Sequence, residues 1–198
     1  MIIDSTGALV DNDFFNHLTE TSVADEQIFA KFFEDLQVIP FMHELVYKYE
    51  FERFATNNQK SLFTNKIINQ ALFNDIFNQS AAKKKYYKMY MTELYKNLMG
   101  AALPVADIFT EWKCGMCLGE VHSVVTCLIC GCGLFLSDDA DSKILEDYIT
   151  GNPKFLSKVI VYNRNDACSF IKKTPNPKLD RAVLHRLNHE IRNYNDEK

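Results

Sequence analysis

The chain has 198 residues, 47% hydrophobic and 24% charged, with a formal net charge of −4. That length is enough to bury a core, and the composition excludes an intrinsically disordered chain. The acidic balance excludes a globally basic nucleic-acid binder, so any such partner needs a local cationic surface.

The N-terminal stretch MIIDSTGALVDNDFF lacks a basic lead and a long apolar core. No segment approaches the roughly 20 apolar residues of a membrane span. The expectation is one cytoplasmic domain without a membrane partner. Within it, MIID reads as a short strand ending in Asp4, followed by the small polar Ser5 and Thr6. DNDFFNHLTE and DEQIFAKFFEDL place apolar residues at helical spacing, with acids near each start. LQVIP is a short extended piece. Pro40 suits the first turn of a helix, PFMHELVYKYEFERF, with Glu44 in its opening turns. Residues 60–100 read as two long helices, a hairpin inserted at about 55–110.

Beyond Pro104, LGEVHSVVTCLIC is helical with Glu120 near its start, GLFLS is a buried strand and DADSKILEDYIT is helical again. KVIVY is a further strand, and NRNDACSFIKK and LDRAVLHRLNHEIRNY are helices. Strands alternating with helices predict an α/β fold, a small parallel sheet flanked by helices in three layers.

Sites in open parallel sheets form beyond the carboxyl ends of the strands. Asp4 ends the first strand, and Asp138 and Asp139 end GLFLS; Glu120 and Glu44 stand near helix starts. If the two strands are neighbours these acids converge, and buried carboxylates then need a hard cation such as Mg²⁺ or Mn²⁺. The plainer reading makes each acid a helix cap, which suits Asp138 and Asp141. Asp4 has no such structural use.

MIIDSTGAL, GEVHSVVTCLICGCGLFLSDDADSKIL and KVIVYNRNDACSFIKK, with VIPFMHELV, together resemble the PIN domain, a metal-dependent nuclease fold. In that family an acid ends the first strand, one lies in an early helix, one begins a mid-chain helix, and one or two end the next strand. The resemblance carries these roles to Asp4, Glu44, Glu120, and Asp139 with Asp138, with Glu50 as the substitute for Glu44. Glu120 stands where Asp is commoner in the family. Ser5 or Thr6 would be the small hydroxyl residue after the first acid. What the resemblance implies is Mg²⁺ or Mn²⁺ on Asp4, Glu120 and Asp139, and RNA hydrolysis by a metal-activated water. It also allows a protein inhibitor, as in toxin–antitoxin pairs, and a homodimer. The same residues suit a PIN-like module that lacks catalysis and works by binding.

Two further features compete. Cys114 and Cys117, then Cys127 and Cys130, have the C-x₂-C spacing of a structural zinc site in a nucleic-acid-binding module. Val121, Val124, Val125, Leu128 and Ile129 share one helical face there, however, so the expectation is that the cysteines pack in the core. AAKKKYYKMYMTELYK carries five lysines and one glutamate. Lys84 and Lys88, one turn apart, offer either phosphate contacts or a merely solvated face. Arg181, Arg186 and Arg192 of the last helix are a second such candidate.

Overall fold

Alternate residues of a strand point to opposite faces, so an apolar run feeds two layers at once. A computed structural model of the chain describes residues 3–196 except 22, 24 and 79, with side chains as far as 188. The runs GALV, IPFMH, NQA, LFL and IVY form strands β1 (Gly7–Val10), β2 (Ile39–His43), β3 (Asn69–Ala71), β4 (Leu134–Leu136) and β5 (Ile160–Tyr162). All pair in parallel, in the order β3-β2-β1-β4-β5.

Register puts Leu9 beside Phe41 and Phe135, and Phe135 beside Val161. This row is buried against α6 (Phe73–Phe77), α7 (Ala81–Met99), α8 (Leu118–Cys130) and α9 (Ala140–Gly151). The next row, Val10, Leu136 and Met42, packs against the opposite layer. That layer is built from α1 (Asn12–Thr19), α2 (Glu26–Asp35), α5 (Asn57–Thr64), α10 (Arg164–Lys173) and α11 (Arg181–Asp196). The expected three-layer α/β/α arrangement is therefore present. Among the described residues, no helix is long and apolar enough to cross a membrane.

Three expected elements fall differently. The first strand is GALV, not MIID. Met1 and Ile2 lie outside the described residues, and Asp4 opens a turn: its Oδ1 accepts from the Thr6 N–H at 2.8 Å and the Thr6 hydroxyl at 2.7 Å. An aspartate followed by small polar residues makes this local turn readily.

Pro40 lies within β2 rather than opening a helix. Pairing with β3 starts only at Phe41, so the missing N–H of Pro40 falls where β2 has one neighbour. Helix begins at Glu44 and runs through α3 (Glu44–Val46), a π-helical turn (Tyr47–Phe51) and α4 (Glu52–Phe54).

The first helix expected in residues 60–80 is broken. After α5, Lys66 takes a positive φ of 60°, and the chain turns into β3 and then the short α6. Only α7 is long.

Asp138 ties the layers together. Its Oδ1 accepts the Arg164 N–H at 3.0 Å, its Oδ2 pairs with the Arg164 guanidinium, and His17 Nδ1 lies 3.1 Å away. Burial opposes ionisation, but the His17 contact and the Arg164 cation hold this carboxyl below its ordinary pKa. Arg164 is only 3% exposed. Asp138→Ala would strand that cation, so we expect urea denaturation to show a loss of about 3–5 kcal/mol.

Candidate active site

Central β1 has β2 on one side and β4 on the other, so the chain reverses its direction of winding at β1. A crevice opens at such a point beyond the carboxyl ends of the strands. Here it is a cleft of about 580 Å³ whose lining includes Asp11, Asn12, Asp13, Glu50, Glu120 and Asp139.

Each acid arrives from a different piece of backbone. Asp11 directly follows β1, and its N–H donates to the Leu136 carbonyl of β4 at 2.9 Å. Asp13 sits in the first turn of α1, and Glu120 in the first turn of α8. Asp139 is the N-cap of α9, accepting the Asp141 N–H on Oδ1 at 2.9 Å. Glu50 comes from the π-helical turn. Gly119 lets this turn approach α8: a Cβ there would lie 3.3 Å from Val46 Cγ2, 3.4 Å from Glu50 Oε1 and 3.5 Å from Trp112 Cη2.

Crowding of like charge shows in the proton affinities. Asp11 is 4% exposed. Burial, then Glu120, Glu50 and Asp13, push its carboxyl well above the ordinary range. Burial, then Glu120 and Asp13, raise Glu50 to about 7. Burial, with Asp139, Asp141 and Asp13 as the repelling charges, raises Glu120 to about 7.

The histidines nearby bring no positive charge. Leu45 N–H donates to His43 Nδ1 at 3.2 Å, which leaves the His43 proton on Nε2, 3.1 Å from the Tyr87 hydroxyl. The Tyr87 hydroxyl then donates to His122 Nδ1 at 2.7 Å, so His122 carries its proton on Nε2. Burial holds His43 well below the ordinary imidazole range and His122 at about 3. Among the described residues, His122 Nε2, Trp112 Nε1 and Asn12 Oδ1 are buried without hydrogen-bond partners.

The expected site residues divide. Glu120 and Asp139 come together in the cleft. Asp4 does not: with Ser5 it lies in the turn before β1, at the opposite end of that strand from Asp11. Glu44 turns away and accepts the Phe73 N–H at 3.0 Å, capping α6, while its substitute Glu50 enters the cleft. Asp138 is the structural ion pair described above, so of the two adjacent acids only Asp139 lines the cleft. Asp11, Asn12 and Asp13 were missed, although GALVD carries the same signal as MIID, an apolar run closed by an acid.

The cysteine pairs do not assemble. Cys114 and Cys117 precede α8, whereas Cys127 and Cys130 lie near its far end, about 15 Å along a helix axis. Cys127 is fully buried, its thiol donating to the Leu134 carbonyl at 3.5 Å. Lys84 and Lys88 lie over the Phe109 ring, with Nζ atoms 4.7 and 5.2 Å from its centroid, and neither lines the cleft. The side chain of Arg192 lies outside the described residues.

Among the described residues, no group of three or more His, Cys, Asp or Glu side chains is arranged to hold a metal ion. The cleft is lined by carboxylates and by Asn12 Oδ1, an unused neutral oxygen, and also by Cys114, Met116 and Cys117, so the first cysteine pair lies at the cleft and not in the core. Its oxygens suit a hard cation that keeps much of its water, since Mg²⁺ commonly takes only one or two carboxylates directly. No family model, curated protein or solved structure matches the chain.

The raised carboxyls and lowered histidines act oppositely on stability. Glu50 and Glu120 titrate near 7 in the fold and near 4.5 unfolded, so they favour folding at low pH and lose that contribution as pH rises through 7. The buried histidines oppose this only below their unfolded value of 6.5. The melting temperature of metal-free protein is therefore expected to fall between pH 6.5 and about 8. Glu50→Gln should flatten that fall in a thermal-shift series.

Proposed function

We propose that this chain is a metal-dependent endonuclease that hydrolyses RNA phosphodiester bonds in the acidic cleft, as its resemblance to the PIN domain implies. One observation carries the reading: Asp11, Glu50, Glu120 and Asp139, from four separate segments, line one crevice, and three of them are driven up in pKa. A fold keeps so unfavourable a cluster where chemistry uses it.

Asp11, Glu120 and Asp139 line the space that Mg²⁺ or Mn²⁺ would occupy, one or two of them holding it directly and the rest through its water, with Asn12 Oδ1 as a neutral partner. An ion bound there supplies a lowered pKa for its water and an offset to charge building on the phosphate. Glu50, the remaining acid of the cleft, is the group we assign to accepting a proton from an attacking water. The neutral His43–Tyr87–His122 chain adds no competing base, because its imidazoles are already committed to one another through Tyr87. Asp139 remains oriented by its cap to the Asp141 N–H, which leaves Oδ2 for the cleft. Because the same carboxyls bind protons and cations, uptake of the ion releases protons and strengthens with rising pH.

Asp139→Asn and Glu120→Gln should each lower Mn²⁺-supported cleavage of a labelled RNA by about 10²-fold or more. Asp4→Asn should leave it unchanged. Cleavage that survives both cleft substitutions, or that needs Asp4, would overturn the assignment. Mn²⁺ titration followed by calorimetry separates an inactive ion-binding module, which takes up the ion without cleaving, from the nuclease.

A further inference from the structure

We propose that Cys114 and Cys117, on the wall of the acidic cleft, are an oxidative modification site: a low-molecular-weight disulfide closes them into a disulfide bridge, and closure breaks a hydrogen bond between the starts of α8 and α9. The effect on ion uptake rests on the metal-dependent reading of the cleft; the thiol chemistry does not.

These two cysteines stand apart from the others. Cys127, Cys132 and Cys168 are buried, and the thiols of Cys127 and Cys132 donate to the Leu134 and Asp4 carbonyls at 3.5 and 3.2 Å. Cys114 is exposed, Cys117 is half-buried, and both line the cleft. Gly115, between them, borders open space: nothing lies within 4 Å of where a Cβ would stand. A small disulfide has access to Cys114 here and is shut out from the core thiols.

The backbone draws the pair together. Three residues of extended chain hold two Cα atoms about 10 Å apart. Residues 114–117 instead run through a turn and a bend, with Gly115 at a φ of 69° and Cys117 at 50°. Such folding-back shortens the span toward the roughly 4.4–6.8 Å that a disulfide bridges.

In the reduced protein Cys117 has another partner. Its thiol donates to Asp141 Oδ2 at 3.1 Å, tying the N-cap of α8 to the first turn of α9. Glu120 and Asp139 stand at the starts of those same helices, so this bond fixes the spacing of two cleft carboxylates. Burial, the Asp141 hydrogen bond and the Glu120 charge push the Cys117 thiol up to about 12. Exposed Cys114 is therefore the first to attack. Its sulfur bonds to one sulfur of the incoming disulfide, whose S–S bond breaks, and its proton leaves with the released thiol. Cys117 then turns from Asp141, bonds to the Cys114 sulfur and expels the second thiol, which takes the Cys117 proton. Two cysteines are oxidised, one small disulfide is reduced to two thiols, and the bond to Asp141 is lost.

The test incubates the full chain with glutathione disulfide, denatures it in acid, alkylates the remaining thiols and maps the peptides. A bridge between Cys114 and Cys117 that dithiothreitol reverses is expected, with Cys127, Cys130, Cys132 and Cys168 alkylated. Calorimetry should then show Mn²⁺ uptake about tenfold weaker than in reduced protein, the worth of one hydrogen bond to a carboxylate. Amide hydrogen exchange in the first turn of α9 should quicken by about the same factor. Cys114→Ser should resist the oxidant and take up Mn²⁺ as reduced protein does. Cys117→Ala, which removes the donor without making a bridge, should match the oxidised chain in both readouts.

A Cys114 that stops at the mixed disulfide, a bridge to any other cysteine, or a closed bridge that leaves exchange at α9 unchanged overturns the proposal. Reduced protein that takes up no Mn²⁺ overturns the metal-dependent reading alone, because bridge formation and exchange at α9 still decide the thiol site. Ion uptake without any bridge sinks the thiol site alone.

Discussion

Everything distinctive here follows from β1 being hydrogen-bonded on both sides. Its pairing with β2 and with β4 makes it the centre of the sheet, and the two neighbours are reached by chain segments that leave in opposite directions. A crevice is thereby forced open where β1 and β4 end. The Asp11 N–H, bonded to the Leu136 carbonyl at 2.9 Å, is the last tie across that boundary. The first turns of α1, α8 and α9 begin close to the crevice, and acids are stable in the first turn of a helix because the unpaired N–H groups there carry positive potential. Helix starts and chain reversal thus gather Asp13, Glu120 and Asp139 around Asp11 for reasons local to each segment.

Local comfort does not remove the collective cost. Asp138 shows how the fold treats a carboxylate that it intends to keep ionised: it supplies Arg164, a backbone N–H and His17. Asp139, its immediate neighbour, receives one N–H. Asp11 and Glu120 also have a backbone N–H each, but burial and the neighbouring carboxylates outweigh it, and these two and Glu50 shift upward in pKa. The two buried histidines, His43 and His122, are excluded as counter-charges by the direction of their hydrogen bonds. His43 must present Nε2–H to Tyr87 because its Nδ1 already accepts from Leu45, and burial keeps both rings neutral. Apart from Lys113 in the lining, compensation for the cleft arrives from solution, as protons or as a cation.

Much of this was legible in the chain. The helices LGEVHSVVTCLIC, DADSKILEDYIT and NRNDACSFIKK stand where their periodicity and caps put them, and GLFLS and KVIVY form neighbouring strands. The acids that depend on those elements, Glu120 and Asp139, therefore line the cleft together as expected. Errors came where two segments carried equal local signals. MIID and GALVD both read as a strand closed by an acid, and only the pairing of Leu9 with Phe41 and Phe135 decides between them. Choosing the wrong run displaced the first acid from Asp11 to Asp4, at the other end of the strand. Residues 60–80 failed for a related reason: β3 is three residues long and exists because β2 offers a free edge, which no local pattern in NQA announces. Asp138 and Asp139 are indistinguishable by sequence, and the buried guanidinium of Arg164, 26 residues away, makes the difference.

The segment between Glu44 and Phe54 carries the remaining logic. In a regular α-helix, residues six apart lie about 240° around the axis, on different faces. Glu44 and Glu50 are six apart, and the π-helical turn intervenes between them. They end up serving different masters: Glu44 caps α6 through Phe73, while Glu50 faces α8 across Gly119. Wider turns of this kind are frequently retained at functional sites, since they re-aim side chains at some loss of regular bonding. The same short stretch sets Tyr49 against Trp112 and brings Phe54 to the rim. The one segment therefore brings both a carboxylate and two aromatic side chains, Tyr49 and Phe54, to the cleft lining. Gly119 is where this segment meets α8: a Cβ built there would lie 3.4 Å from Glu50 Oε1 and 3.5 Å from Trp112 Cη2, so a larger residue would press on the carboxylate and the indole together.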